Sequence, residues 1–178
     1  MTWEEAIESS SLEDLPFKVE LNADGNLVLS GVWNWHGGLQ AEVGIRLSEL
    51  MSHGKAAMEI GVRTRDNVKV ADVAWFTNEH WNAVKEDAYC ATAPAICIEV
   101  ACGGSPAGSF ERKLPLYFEA GAKEVWFCDR MGNITFHTPA GQVPASPMCP
   151  DFPVLLESPF TPLPRRSRGG HGGSAPDR

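Results

Sequence analysis

The chain has no C-x-x-C pair, no apolar run near the roughly 20 residues needed to cross a bilayer, and no surplus of basic residues. Each lack excludes something. Five cysteines (Cys90, Cys97, Cys102, Cys128, Cys149) are an odd number without zinc-ligand spacing, so they are expected to be reduced and structural. Cys97 and Cys128 lie inside apolar runs, where a thiol behaves as a small hydrophobe. His53, His80, His137 and His171 show no ligand spacing either. The first eight residues are acidic and amphipathic, unlike a signal peptide, which predicts a cytoplasmic protein. With 15 Lys and Arg against 23 Asp and Glu the net charge is −8, which argues against a broadly basic nucleic-acid surface. A local basic groove remains compatible with that total, and a carboxylate cluster adds negative charge of its own. No internal repeat is present.

What is present is ordinary for a globular chain: 178 residues, 43% hydrophobic and 21% charged. One domain is expected over residues 1–160, and a disordered Pro/Gly/Arg-rich tail over 161–178. Thr2 can cap a short helix over residues 2–9, with Glu4 and Glu5 at its positive end. A polar linker precedes two strand-like runs, Phe17–Asn22 and Asn26–Ser30, joined through Asp24-Gly25, a strong hairpin signal. Apolar residues at 39, 43, 45, 47, 50 and 51 predict a helix ending at His53-Gly54. Strands follow at 56–63 and 68–76, then a helix from the upper seventies to the mid eighties, and a strand at 95–101. After a Gly-Gly-Ser-Pro-Ala-Gly loop, a helix runs to Ala120 with Gly121 as its stop. Pro115 places its start at Lys113 or Leu114, because proline is tolerated in the first turn. A hairpin around Met131-Gly132-Asn133 closes the pattern. This order predicts an α/β or α+β sheet domain.

Two of these strands carry one lone carboxylate each. Asp72 interrupts the apolar run Val68–Phe76, and Glu99 interrupts Ile96–Val100. A buried charge must be paired, protonated or bound to metal. Carboxylates from neighbouring strands can share a Mg²⁺ ion completed by water and a phosphate oxygen, with a lysine such as Lys113 orienting that water. The alternative is that each carboxylate sits at a strand end, accepting backbone N–H bonds or pairing with lysine.

The chain resembles the bacterial family of restriction-endonuclease-like proteins within the PD-(D/E)xK nuclease superfamily, over roughly residues 15 to 155. Phe17-Lys-Val-Glu20-Leu-Asn-Ala-Asp-Gly25-Asn-Leu-Val looks like that family's first hairpin. His36-Gly37 looks like its His-Gly before the first long helix, and Val70-Ala71-Asp72-Val73 stands where it has Pro-Asp-Val. Pro94 to Val100 matches its Pro-x-x-x-x-Glu-Val strand. The most specific match is Lys113-Leu-Pro-Leu-Tyr117 through Gly121, Glu124 and Trp126. In the wider superfamily the lysine lies two residues after the glutamate, where this chain has Ala101. Here the amine is taken to migrate to the following helix, as Lys113. Ala71, the Cys102–Ser105 turn, Ser109 and Pro115 depart from the family pattern.

The resemblance implies a restriction-endonuclease-like α/β core, a mixed β-sheet flanked by helices. It implies an endonuclease that hydrolyses DNA phosphodiester bonds with Mg²⁺, for which Mn²⁺ can substitute, and that acts as a homodimer. Asp72 and Glu99 would hold the metal, Glu20 would be an auxiliary ligand, and Lys113 would position the attacking water. Glu42 rivals Glu20 for the auxiliary role. His36 and Gln40 share a helical face, His36 being either a helix-start residue bonded to backbone or a base. Trp33 and Trp35 suit packing, a dimer contact or base stacking, and Arg63 and Arg65 suit a solvated turn or a phosphate contact. Two other functions stay open: an inactive nuclease-fold module that binds nucleic acid or a protein partner, and a hydrolase of another phosphate substrate.

Overall fold

The computed structural model describes residues 1–12, 15, 17–31, 33–102 and 108–156. The expected 161–178 tail, most of the 103–108 loop and part of the linker after residue 9 lie outside the described residues.

Twelve elements are described. Helix α1 (Trp3–Ile7) is capped by the Thr2 side chain, with Glu5 returning a bond to the Thr2 backbone. Strands β1 (Phe17–Leu21) and β2 (Leu27–Gly31) form the expected antiparallel hairpin, with Gly25 at φ 75° in its turn. Helix α2 (Asn34–Leu50) leads to β3 (Lys55–Thr64) and β4 (Asn67–Phe76), an antiparallel pair. Then come α3 (Asn78–Val84), β5 (Ile96–Val100), α4 (Ser109–Glu119), β6 (Glu124–Cys128), β7 (Ile134–Thr138) and β8 (Gly141–Val143).

Strands β3 to β8 form one six-stranded sheet in chain order. Neighbours are antiparallel except β5 and β6, which run parallel because α4 carries the chain across between them. One face of this mixed sheet packs on α2 through Leu39, Val43 and Leu47 against Val73, Trp75, Ile96, Ile98 and Trp126. The other packs on α4, where Tyr117 meets Ala71, Cys97 and Val125. β5 is buried along its whole length, which accounts for its continuous apolar run.

Two helix starts differ from the sequence reading. α2 begins at Asn34, two residues before His36, which the sequence reading placed at the helix start, and the His36 ring lies 3.2 Å from the Ala101 carbonyl. α4 begins at Ser109, so Pro115 lies in its interior rather than its first turn. The ring removes one backbone donor, and packing of Leu114 and Tyr117 in the cluster beneath the sheet holds the helix through it. The β8 strand has no counterpart in the sequence reading. It pairs three residues with β7. All five cysteines are free, four of them buried.

Candidate active site

The β1–β2 hairpin docks onto the start of β4. Buried Lys69 donates to the Leu21 carbonyl (2.8 Å), and Glu20 Oε1 accepts the Val70 N–H (2.9 Å). Leu21 packs with Trp3, Val68 and Val70 beneath. Strand alternation puts Lys18 and Glu20 on one side of β1, and this docking turns both toward the ends of β4 and β5. Lys18 Nζ bonds Asp72 Oδ1. Asp72 Oδ2 accepts the Val100 N–H at 2.6 Å.

Asp72 sits at an irregularity. Residues two apart on a strand normally share a face, yet Ala71 joins the cluster under α4 and Val73 the cluster under α2. The flanking register pairs are Ile60↔Ala71 and Met58↔Val73, and between them Glu59 adopts φ 54°, left-handed and unusual for a residue with a side chain. The strand kink lets the Asp72 carboxylate meet groups from β1, α2 and β5 together.

Glu99 faces α4. Lys113 and Tyr117, four residues apart on one helical face, each bond one of its oxygens: Lys113 Nζ to Oε2 at 2.9 Å, Tyr117 OH to Oε1 at 2.6 Å. Lys113 also bonds Glu20 Oε1 at 2.5 Å, so one ammonium bridges two carboxylates. The interior proline leaves Lys113 aimed at the site. A cleft of about 630 Å³ opens over these groups, lined by Lys18, Glu20, Asp72, Glu99 and Lys113 and, farther out, by Lys69, Phe110, Arg112 and His137.

The charges are strongly coupled. Burial disfavours ionisation of Asp72, but Lys18 and His36 outweigh it and hold the carboxyl well below the usual range. Burial also works against a charge on Lys18, which its surrounding carboxylates, Asp72 first, reverse and push above the ordinary lysine value. Glu99 is pushed up by burial, and Lys113 offsets this only in part. Lys113 is held charged, the Glu99 and Glu20 carboxylates overcoming the cost of burying it. Burial and the Glu99 charge keep the Tyr117 hydroxyl protonated. His36 is fully buried, its Nδ1 3.2 Å from the Ala101 carbonyl and its Nε2 3.5 Å from Asp72 Oδ1. Burial lowers its pKa, but Asp72, Cys102 and Ala101 together raise it to about 10.

Four of the residues read from the sequence therefore converge: Glu20, Asp72, Glu99 and Lys113. The observed contacts are those of the second reading: each carboxylate pairs with a lysine, and Asp72 also accepts a backbone N–H. His36 bonds backbone, as a helix-start residue does, and also faces Asp72. Glu42 does not reach the site; it bonds Arg46 (3.1 Å) on the outer surface of α2. Trp35 packs at the edge of the core and Trp33 is exposed. Arg63 bonds Asn67 and stacks over Tyr89, and Arg65 pairs with Glu119, as turn residues do.

Sequence reasoning missed roles for Lys18, Gln40's contacts, Glu59 and Tyr117. The signal for Tyr117 was available, four residues after Lys113. Lys18 carried one too, two residues before Glu20 on the same strand face. Glu59 carried none.

This fold, with acidic residues on two adjacent strands beside a helix-borne lysine, is the restriction-endonuclease-like class. The chain belongs to the Uma2 family, described as "Putative restriction endonuclease", which matches residues 3–166. A similar solved structure is a protein of Anabaena variabilis described as a "putative nuclease belonging to DUF820". It is 15% identical with a TM-score of 0.66, and the match covers 88% of this chain and 94% of that one. At this identity the likeness establishes the fold. Comparison with curated proteins finds no match. No helix of the described residues is long and apolar enough to cross a membrane.

Proposed function

We propose that the chain is a divalent-metal-dependent endonuclease, one domain over residues 1–160, acting as a homodimer on DNA. The single observation that supports it most is Lys113: one buried, charged ammonium bridging Glu20 and Glu99 at the floor of an open cleft. A purely structural ion pair has no need of a cleft.

The residues fit a metal. Glu20, Asp72, Glu99 and Glu59 place four carboxylates around the ammonium groups of Lys18 and Lys113, an oxygen-rich set suited to Mg²⁺, with Mn²⁺ as a substitute. In this reading Asp72 and Glu99 hold the ion, with Glu20 auxiliary. When bound, it polarises the phosphoryl group and favours ionisation of water. Lys113 is charged, so it acts as a donor rather than a base. It orients the attacking water and stabilises the charge that grows on the phosphoryl oxygens. Tyr117 fixes the Glu99 rotamer by holding its other oxygen. Arg112, on the cleft wall, brings positive charge to the side where a phosphate backbone would lie.

A specific observation favours the inactive, DNA-binding alternative: Asp72 and Glu99 are both already neutralised by lysines. One experiment separates the two. Supercoiled plasmid and single-stranded circles are incubated with the full chain in Mg²⁺, Mn²⁺ or chelator. Metal-dependent nicking that disappears in Glu99→Gln and Lys113→Met, both still folded, supports the enzyme. Salt-sensitive binding with no nicking in either metal supports the module.

A further inference from the structure

The cleft continues past the carboxylates onto an aromatic wall that the hydrolysis proposed above does not use. In the parallel pair β5–β6, Glu99 stands directly beside Phe127, and Phe127 stands beside Thr135 of β7. Adjacent strands lie roughly 4.8 Å apart, so the wall begins one strand from Glu99. Alternation puts Phe127 on the α4 side of the sheet, since its neighbour Trp126 packs on the α2 side. From the first turn of α4, Phe110 lies against Phe127, with ring centroids 4.9 Å apart, and against His137 at 5.3 Å. All three rings line the cleft, and each is only half-buried. Thr135 and Gln142 border them with hydrogen-bonding groups. Burial lowers the His137 pKa below its ordinary value, so the imidazole is neutral at pH 7 and adds a flat face rather than a charge.

Flat aromatic faces stack on bases whatever the sequence, because every base has a π-face. A base inside an intact duplex has both faces against its neighbours and must leave the stack to be held this way. We propose that Phe110, Phe127 and His137 seat one unpaired base beside the scissile phosphate, which makes single-stranded DNA the substrate class. Thr135 and Gln142 then meet the polar edge of that base. Cleavage of the strand rests on the nuclease reading, whereas the seating of the base does not. The net charge of −8 agrees with this choice, since duplex binding leans on many phosphate contacts and stacking does not.

The test uses the full chain in chelator, so that metal-dependent cutting is suppressed. A fluorescent adenine analogue is placed in a single-stranded oligonucleotide and in the matching duplex, and both are titrated. The expected result is quenching of the analogue on binding and an affinity for the single strand about tenfold or more above that for the duplex. Phe127→Leu and Phe110→Leu keep apolar bulk but remove a π-face. Each is expected to weaken single-strand binding about tenfold, whereas Phe110→Tyr retains it. Phe110→Leu carries the test should Phe127→Leu fail to fold. Equal affinity for the two forms, no binding of either, or single-strand affinity unchanged in Phe110→Leu overturns the proposal. Nicking is measured on the same proteins with metal added. Strand preference without nicking sinks the nuclease reading and spares the aromatic wall; nicking without strand preference does the reverse.

Discussion

Asp72 and Glu124 are equally buried, 1% exposed each, yet they do opposite things. Glu124, at the start of β6, accepts three hydrogen bonds of 2.7 Å, from the Trp126 indole, the Ser146 hydroxyl and the Met148 backbone. All three donors are neutral, and together they tie the segment after β8 back to the sheet. Asp72 is held by a lysine, has a histidine nitrogen 3.5 Å away, and lines an open cleft. A buried carboxylate alone therefore says little about chemistry. What separates a site from a clasp is the company of cations and a route to solvent. Glu124 is met by neutral donors that tie segments together; Asp72 is met largely by charged groups that line the cleft.

That contrast can be broken by substitution. The largest effect is expected at Glu99→Gln, which should lower nicking by about 10³-fold or more while the thermal midpoint moves little, because Glu20 still partners Lys113. Asp72→Asn is expected to lose as much activity but also stability, since it strands the Lys18 charge in a buried setting. Comparable activity of Glu99→Gln and wild type would erase the distinction between the two regions. Next comes Lys113→Met, with a loss of about 10²-fold or more and partial recovery in Lys113→Arg, read by plasmid nicking with metal in excess.

Glu124→Gln should show the converse. Replacing one acceptor oxygen of a side chain that takes three bonds is expected to cost about 2 kcal/mol in a denaturant titration, with nicking per folded molecule retained. A loss of nicking without a loss of stability would place Glu124 on the wrong side of the comparison.

The pH dependence sharpens it further. His36 has a folded pKa of about 10 against an ordinary 6.5, so its contribution is complete below 6.5 and is lost as pH rises toward 10. Asp72, held low, contributes above about 3.8 and loses that contribution as pH falls below it. Stability should thus decline on both sides, and His36→Gln should remove the alkaline limb and weaken the acid one, since Lys18 still holds Asp72; ring resonances of His36 that titrate near 6.5 would contradict this. The smallest effect is expected at Tyr117→Phe, about 1 kcal/mol in stability and a few-fold in nicking, through looser placement of Glu99.

Much of this was legible beforehand because it is local. Alternating and continuous apolar runs marked β1 to β7, Asp24-Gly25 marked the hairpin, and Thr2 with Glu5 marked the first cap. Lone carboxylates in apolar strands pointed to Asp72 and Glu99. The interior run of α4 was not legible, because a proline's local preference was overridden by the packing of Leu114 and Tyr117. Nor was β8, whose three residues carry too short a pattern to stand out.

The sequence by itself determined which residues could be charged in a buried place, and the order of elements that would carry them, because hydrophobic periodicity and turn chemistry act over a few neighbours. Only the tertiary structure decided who meets whom. Lys18 reaches Asp72 across 54 residues and Lys113 reaches Glu20 across 93. Glu59 enters the site through a left-handed backbone turn that its own sequence does not favour. Long-range docking of the β1–β2 hairpin and of α4 onto one sheet set those meetings, and no local pattern encodes them.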